Sequence, residues 1–190
     1  MQRIEFWEAI DVFRRAGGFL SSKDRHPATI PLDQLLAQCS LKFTRRSGPG
    51  GQHRNKVESA AILTHLPTGI SAEANERRSQ SENREVALFR LRVKLAIEVR
   101  SEPAVESGPS DLWRSRLRGQ KIAIKSTHAD FPALLAEALD LLEICAGEIP
   151  IAAEKLECSA TQLVNLLKQE PRAFTLLNDR RRLRGLRALF

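Results

Sequence analysis

The first apolar positions, Ile4, Trp7, Ile10 and Phe13, recur at helical spacing until Gly17 and Gly18 interrupt them, so residues 2–16 read as an amphipathic helix. Ser21 to Pro31 is polar, contains two prolines and reads as a connection, and Leu32 to Gln38 has room for one or two helical turns. Cys39, Leu41 and Phe43 then alternate with Ser40, Lys42 and Thr44, the period of two that a half-buried strand leaves. Beyond a glycine-rich stretch, the short runs Ala60–Leu66 and Ile70–Asn75 flank Pro67-Thr68-Gly69 and read as a hairpin. Ser79 and Glu82 stand at capping-box spacing, and Val86, Phe89, Val93 and Ile97 continue at helical period, so a helix is expected over about 80–98.

Ser101–Ser110 holds two prolines, a glycine and acidic residues, which places a domain boundary there. After it, Lys121–Lys125 could form a short strand, and Phe131–Cys145 has a buried-face helical pattern in Leu134, Leu135, Ala138, Leu141 and Leu142. Two more helices are expected to follow. Within them, Ala152–Leu163 has the form of a helix-turn-helix, with Ala153, Leu156, Cys158, Leu163 and Leu166 at its buried positions and Glu157 where the turn usually has Gly; a plain helical hairpin fits equally. The order strand, loop, hairpin, long helix predicts an α+β fold with a small, mostly antiparallel sheet and a long packing helix, followed by a small, mainly helical domain. The expected organisation is a helix and linker over residues 1–31, a domain over 32–100, a linker over 101–110 and a helical domain over 111–190.

Composition narrows the function classes. The first stretch is broken by Arg3, Glu5, Glu8 and Asp11, so it lacks the apolar run of a signal peptide, and no later run could span a bilayer. A cytoplasmic chain with no membrane partner is expected. Cys39, Cys145 and Cys158 lie apart with no Cys-x-x-Cys pair, which points to reduced thiols and to neither a disulfide framework nor a metal site, and no cofactor is expected. The net charge of +7 is unevenly spread: residues 41–100 hold twelve basic and six acidic side chains, residues 1–40 five of each, and residues 101–190 thirteen and twelve. A concentrated positive segment suits a polyanion, because neutralising phosphates releases counterions.

The most informative segment is Ser47-Gly48-Pro49-Gly50-Gly51-Gln52-His53-Arg54-Asn55-Lys56. Three glycines around one proline allow backbone conformations closed to other residues and a close approach to another molecule. A phosphate cradle fits poorly, since the Walker spacing and the dinucleotide fingerprint are both missing; on spacing alone, a glycine-rich turn remains open. Gln52 cannot act as a general base, because a carboxamide has no useful pKa, so any chemical role for it is positional. His53 invites a conventional base, but no neighbouring nucleophile or carboxylate completes a triad.

Ser47–Lys56, with Thr64-His65-Leu66-Pro67-Thr68-Gly69-Ile70 and Glu76-Arg77-Arg78-Ser79-Gln80-Ser81-Glu82-Asn83, resembles the catalytic domain of class I peptide-chain release factors, in the same order and at the same spacing. The likeness covers roughly residues 32–100, about a third of the chain. It implies a Gly-Gly-Gln (GGQ) peptidyl-tRNA hydrolase that works in the ribosomal peptidyl transferase centre, with ribosomal RNA and peptidyl-tRNA as partners, acting as a monomer. Gly50, Gly51 and Gln52 would be the catalytic residues: the Gln52 N–H would donate to the developing or leaving oxygen while its side chain limits access to water. A preorganised donor of that kind is worth about 3–4 kcal/mol. Arg45, Arg46, His53, Arg54, Lys56, Arg77 and Arg78 would contact RNA, and His65 would be structural.

Two departures from the family stand in the loop. Pro49 occupies the place of a more familiar Ala, a feature shared with some ribosome-rescue members, and Arg54 puts charge where Val is usual. The segment before the catalytic strand is short for a codon-reading domain, so codon-independent action in ribosome rescue or termination is expected. Rescue hydrolases typically end in a strongly basic tail, whereas residues 101–190 are nearly balanced in charge and have the pattern of a fold. Arg180, Arg181, Arg182, Arg184 and Arg187 could bind RNA or solvate the outer face of a last helix. Two other readings compete: a helix-turn-helix regulator with a vestigial loop, and a ribosome-binding factor whose GGQ loop is inactive.

Overall fold

The computed structural model describes residues 25–45, 59–101 and 108–190. The helix expected over 2–16, the Ser47–Lys56 segment and the central part of the expected linker lie outside them. The chain divides into two compact units, one of Pro27–Leu95 and one that takes in His26 and Ala96–Phe190.

In the first unit, α1 (Leu32–Ala37) starts after Pro31, whose carbonyl accepts the Leu35 N–H at 3.0 Å, and buries Leu35 completely. Three strands follow, β1 (Cys39–Thr44), β2 (Ala60–His65) and β3 (Ser71–Ala74), antiparallel and in the order β1-β2-β3. The β2–β3 turn passes through Gly69 at φ +71, a conformation that opposes a side chain. β2 is central and buries Ala60, Ala61, Leu63 and His65. β1 has the bounds its alternation predicts, but as an edge strand it covers little: Cys39 and Phe43 are half-buried and Leu41 is 40% exposed.

The long helix α2 (Gln80–Glu98) buries a stripe at four-residue spacing, Asn83, Ala87, Leu91 and Leu95, each at 0% exposure. The apolar positions Val86 and Phe89 are only half-buried, while Val93 and Ile97 are buried. The true inner stripe escapes a hydrophobic reading because its first member is an asparagine. Polar side chains from the same helix fasten the sheet's edge: Arg90 Nη1 donates to Glu73 O at 2.9 Å and Lys94 Nζ to Ser71 O at 2.8 Å.

In the second unit, α3 (Asp111–Arg116) is capped by Ser110, whose hydroxyl accepts the Trp113 N–H at 3.1 Å. A two-residue-per-strand hairpin, β4 (Leu117–Arg118) and β5 (Lys121–Ile122), follows through Gly119 at φ +57. The strand expected over Lys121–Lys125 is therefore only its first two residues. α4 (Phe131–Ile144) is buried on nearly every side, as a helix apolar all round must be, and forms the centre of this unit. Three helices follow where two are expected: α5 (Ile149–Lys155), α6 (Ala160–Lys168) and α7 (Pro171–Leu183). Only Gln169 and Glu170 separate α6 from α7, too few for a composition break to show, and Pro171 restarts the helix.

The α5–α6 turn buries Ala153, Leu156, Cys158, Leu163 and Leu166, the five positions that a helix-turn-helix pattern assigns to the inside. Trp113, 1% exposed, donates its indole N–H to Leu156 O at 2.8 Å and so ties α3 to that turn. Among the described residues no helix is long and apolar enough to cross a membrane.

Candidate functional site

The antiparallel pair of β1 and β2 closes at Thr44 opposite Ala60, and these two strand ends are the stem from which the glycine-rich segment departs and to which it returns. Arg45 follows Thr44 directly and is exposed. Arg77 and Arg78 lie between β3 and α2; both side chains are exposed and neither has an ion pair among the described residues. Arg46, Gly50, Gly51, Gln52, His53, Arg54 and Lys56 lie outside the described residues.

Asn83, in the first turns of α2, joins the stem to the Arg77 segment. Its Nδ2 donates to Ser59 O at 2.7 Å and to Arg77 O at 2.9 Å, and its Oδ1 accepts the Arg77 N–H at 2.9 Å. Both amide protons and the amide oxygen are used inside the protein, which is the condition for burying such a group without a desolvation penalty. The neighbouring Glu76 is held from the other side. Arg90 forms a two-pronged ion pair with it, and the Asn75 N–H donates to Glu76 Oε2 at 2.7 Å. Partial burial would raise the Glu76 carboxyl, but the Arg90 and Asn75 hydrogen bonds outweigh it and hold the group below its usual range. The backbone carrying Arg77 and Arg78 is thus fixed at both ends while their guanidinium groups remain in solvent.

His65 sits at the opposite end of β2. It is 3% exposed, with Nε2 3.0 Å from Gln38 Oε1 and Nδ1 2.8 Å from Thr68 Oγ1. Gln38 Oε1 can only accept, so Nε2 carries the proton and Nδ1 accepts from the Thr68 hydroxyl. Burial lowers the His65 pKa and keeps the ring neutral. This residue joins the end of α1 to the hairpin turn.

Arg45, Arg77 and Arg78, which the sequence singles out, are exposed, and Asn83 is not singled out there as a site residue. The signal was present: a carboxamide in phase with Ala87, Leu91 and Leu95 on a helix's inner face must have three backbone partners or be unstable there. In the second unit, four of the five C-terminal arginines are occupied, Arg182 by Asp179 at 2.8 Å. Arg180 and Arg184 pair with the buried Glu143, and Arg181 donates to Gly147 O and, at 3.0 Å, to Arg187 O. On the outer side of α6, Ile149, Pro150, Val164, Lys168, Leu189 and Phe190 are among the residues lining a groove of about 560 Å³. Among the described residues no cluster of His, Cys, Asp and Glu could hold a metal ion.

The RF-1 domain family model matches residues 32–127, just over half of the chain and a span that includes the three-stranded sheet and α2. The chain belongs to the class I peptide chain release factor family. It is 46% identical over 77 residues to the chloroplastic peptide chain release factor PrfB1 of Arabidopsis thaliana, a match covering 40% of this chain and 16% of that protein. To peptide chain release factor 1 of Malacoplasma penetrans it is 59% identical over 71 residues, 36% of this chain and 20% of the relative. To peptide chain release factor 2 of Lactiplantibacillus plantarum it is 36% identical over 96 residues, 47% of this chain and 26% of the relative. The chain thus spans only about a fifth of the length of the curated relatives it matches.

Proposed function

We propose that this chain is a cytoplasmic, ribosome-dependent peptidyl-tRNA ester hydrolase, active without reading a codon, in which Gly50, Gly51 and Gln52 present a backbone N–H to the oxygen of the ester under attack. The observation that carries the reading is the Ser47–Lys56 sequence, which falls between the paired strands β1 and β2 in a chain that the RF-1 domain model matches. Water attacks the ester carbonyl; the acyl–oxygen bond breaks; the peptide leaves as a carboxylic acid and the tRNA keeps its ribose hydroxyl. The chain supplies a positioned donor and excludes stray water, and ribosomal RNA and the tRNA ribose supply the remaining groups. Arg45, Arg46, His53, Arg54, Lys56, Arg77 and Arg78 contact RNA phosphates, for which their charge and, in Arg77 and Arg78, their exposure are suited. Residues 32–100 act as the hydrolase domain and residues 111–190, beyond the 101–110 linker, as the helical domain. Neither metal nor cofactor takes part.

The regulator reading is weaker on charge. The groove along α6 is lined by Glu148 as well as Lys168 and Arg181, and by the apolar Val164, Leu189 and Phe190, a mixed lining with no concentrated positive face for a phosphate backbone.

The test is release of labelled peptide from purified ribosome complexes holding peptidyl-tRNA, with and without a stop codon. Release by the parent chain is expected at similar rates on both complexes. Gly51→Ala, which restricts the backbone presenting the donor, and Gln52→Pro, which removes its N–H, should slow it by about a hundredfold or more, the usual effect of spoiling one preorganised donor. Equal release by parent and variants would sink the proposed chemistry, and release confined to stop-codon complexes would sink codon independence.

A further inference from the structure

We infer that Asn83 is a positioning residue for ester hydrolysis, setting where the catalytic segment leaves β2 relative to Arg77 and Arg78; this rests on the function proposed above. Position 83 lies in phase with Ala87, Leu91 and Leu95, and all four are fully buried. An apolar side chain there would satisfy the packing of the helix, and the asparagine is distinguished only by its three hydrogen bonds. None of them is required by the elements they touch. β2 is already held by its pairing with β1 from Ala60 onward, and the start of α2 is held by Ser79, whose carbonyl accepts the Asn83 N–H at 3.1 Å.

The partners are the last backbone carbonyl before β2, that of Ser59, and both backbone groups of Arg77. One planar amide therefore fixes the spacing of two segments that the proposed chemistry uses for different purposes, ester cleavage and phosphate contact. A carboxamide is suited to this because it offers two donors and an acceptor in fixed geometry and carries no charge that would need a counterion in the interior. His65 performs the corresponding task at the far end of β2, where it joins Gln38 to Thr68, so both ends of the central strand are fastened by a buried polar side chain. Only the Asn83 end adjoins the catalytic segment.

A misplacement of about 1 Å can slow an oriented reaction by up to about a hundredfold. The experiment uses the full chain and two variants: Asn83→Ala, which removes all three bonds, and Asn83→Asp, which keeps the shape and the acceptor but removes the amide donors. Each is assayed by single-turnover peptide release at saturating protein, with ribosome affinity measured by sedimentation and Tm by calorimetry. The expected result for both is a saturated release rate about tenfold or more below the parent, with release amplitude and ribosome affinity within about threefold. For Asn83→Asp, the ratio to the parent rate should rise as the pH is lowered, because protonating the new carboxyl group restores one donor. A purely structural residue would reduce amplitude and Tm at an unchanged rate, and that outcome overturns the inference. Should the parent itself release no peptide, the proposed function falls and this inference with it; an active parent with both variants at the parent rate sinks this inference alone.

Discussion

In the Pro27–Leu95 unit, Arg77 and Arg78 reach solvent from a backbone held by Asn83, whereas in the unit containing Ala96–Phe190 Arg100, Arg180 and Arg184 turn toward buried acids. Arg100 pairs with Asp140 at 2.8 Å, both side chains under 5% exposed, and donates to Ala96 O and Ile97 O at 2.5 Å; Ser101 gives Asp140 a further bond at 2.6 Å. Arg180 and Arg184 close on Glu143 in the same unit. The near-balance of thirteen basic and twelve acidic residues over 101–190 thus reflects charges that partly neutralise one another internally. Net charge alone does not forecast phosphate binding; what decides is whether each guanidinium already has an acid. Arg77 and Arg78 present such guanidinium groups in the first unit, whereas Arg100, Arg180 and Arg184 of the second are already taken by acids.

The largest effect should come from breaking an inward pair. Arg100→Ala leaves the Asp140 carboxylate buried with Ser101 as its remaining partner and should destabilise its unit by about 3–5 kcal/mol, read from urea denaturation. Replacing both partners by apolar residues, Arg100→Met with Asp140→Leu, should recover most of that loss. A loss below about 1 kcal/mol for Arg100→Ala would mean that the inward arginines do not hold the unit together.

A second test uses acid. Burial, and secondarily the charge of Arg100, lower the His26 pKa to about 4 although the ring bonds Val99 O at 3.2 Å. The unfolded chain takes up this proton at about 6.5, so the stability contributed by neutral His26 is complete above that pH and is lost as pH falls toward 4. Asp140 runs the other way. Burial pushes it up to about 6 against the pull of Arg100 and Ser101, so its contribution increases as pH falls through 6. The parent should therefore change little between pH 7 and 5. The stability difference between the parent and His26→Gln, which isolates the histidine, should shrink by about 2 kcal/mol over that interval. No change in that difference would show that His26 is protonated in the fold.

The outward arginines predict the reverse profile. Arg77→Ala combined with Arg78→Ala should change stability by about 0.5 kcal/mol or less, yet flatten the salt dependence of ribosome binding by up to about two units of log–log slope. Arg180→Ala should leave that slope alone while lowering stability. If the two effects are exchanged, the contrast between the units fails.

Much of the first unit was legible because each element leaves its own trace: alternation in β1, Gly69 in the hairpin turn, Ser79 and a sustained helical period in α2. Asn83 was not, because a polar residue on an inner face breaks the very pattern used to find that face. In the second unit α4 announced itself by its apolar run, but β4 and β5, at two residues each, are too short to show a period. The run of C-terminal arginines looks like a solvated or RNA-binding face until Glu143, some forty residues upstream, is seen to receive two of them. Pairings over that distance leave no mark in local composition. The site divides likewise: Arg45, Arg77 and Arg78 were singled out by motif, whereas the bonds that link the Arg77 segment to the stem are tertiary contacts.

The smallest expected effect concerns backbone strain in the inward-turned unit, where one helix ending occurs three times. After α5, the Glu157 N–H donates to Glu154 O and the Cys158 N–H to Ala153 O, both at 3.0 Å, with Glu157 at φ +54. The same pair of bonds closes α4 through Ala146 at φ +53 and α7 through Gly185 at φ +74. This ending calls for a left-handed residue, and only the third copy uses glycine. A side chain in that region costs about 1 kcal/mol, partly offset by the greater freedom that glycine has in the unfolded chain. Glu157→Gly should therefore stabilise its unit by about 0.5–1 kcal/mol, since the exposed contact it gives up, 3.9 Å from Arg114, is worth little. Gly185→Ala should destabilise by a similar amount, and urea midpoints of the two variants should move in opposite directions. If both lower stability, position 157 is held by its side chain, and the ion pairs of this unit extend to its surface.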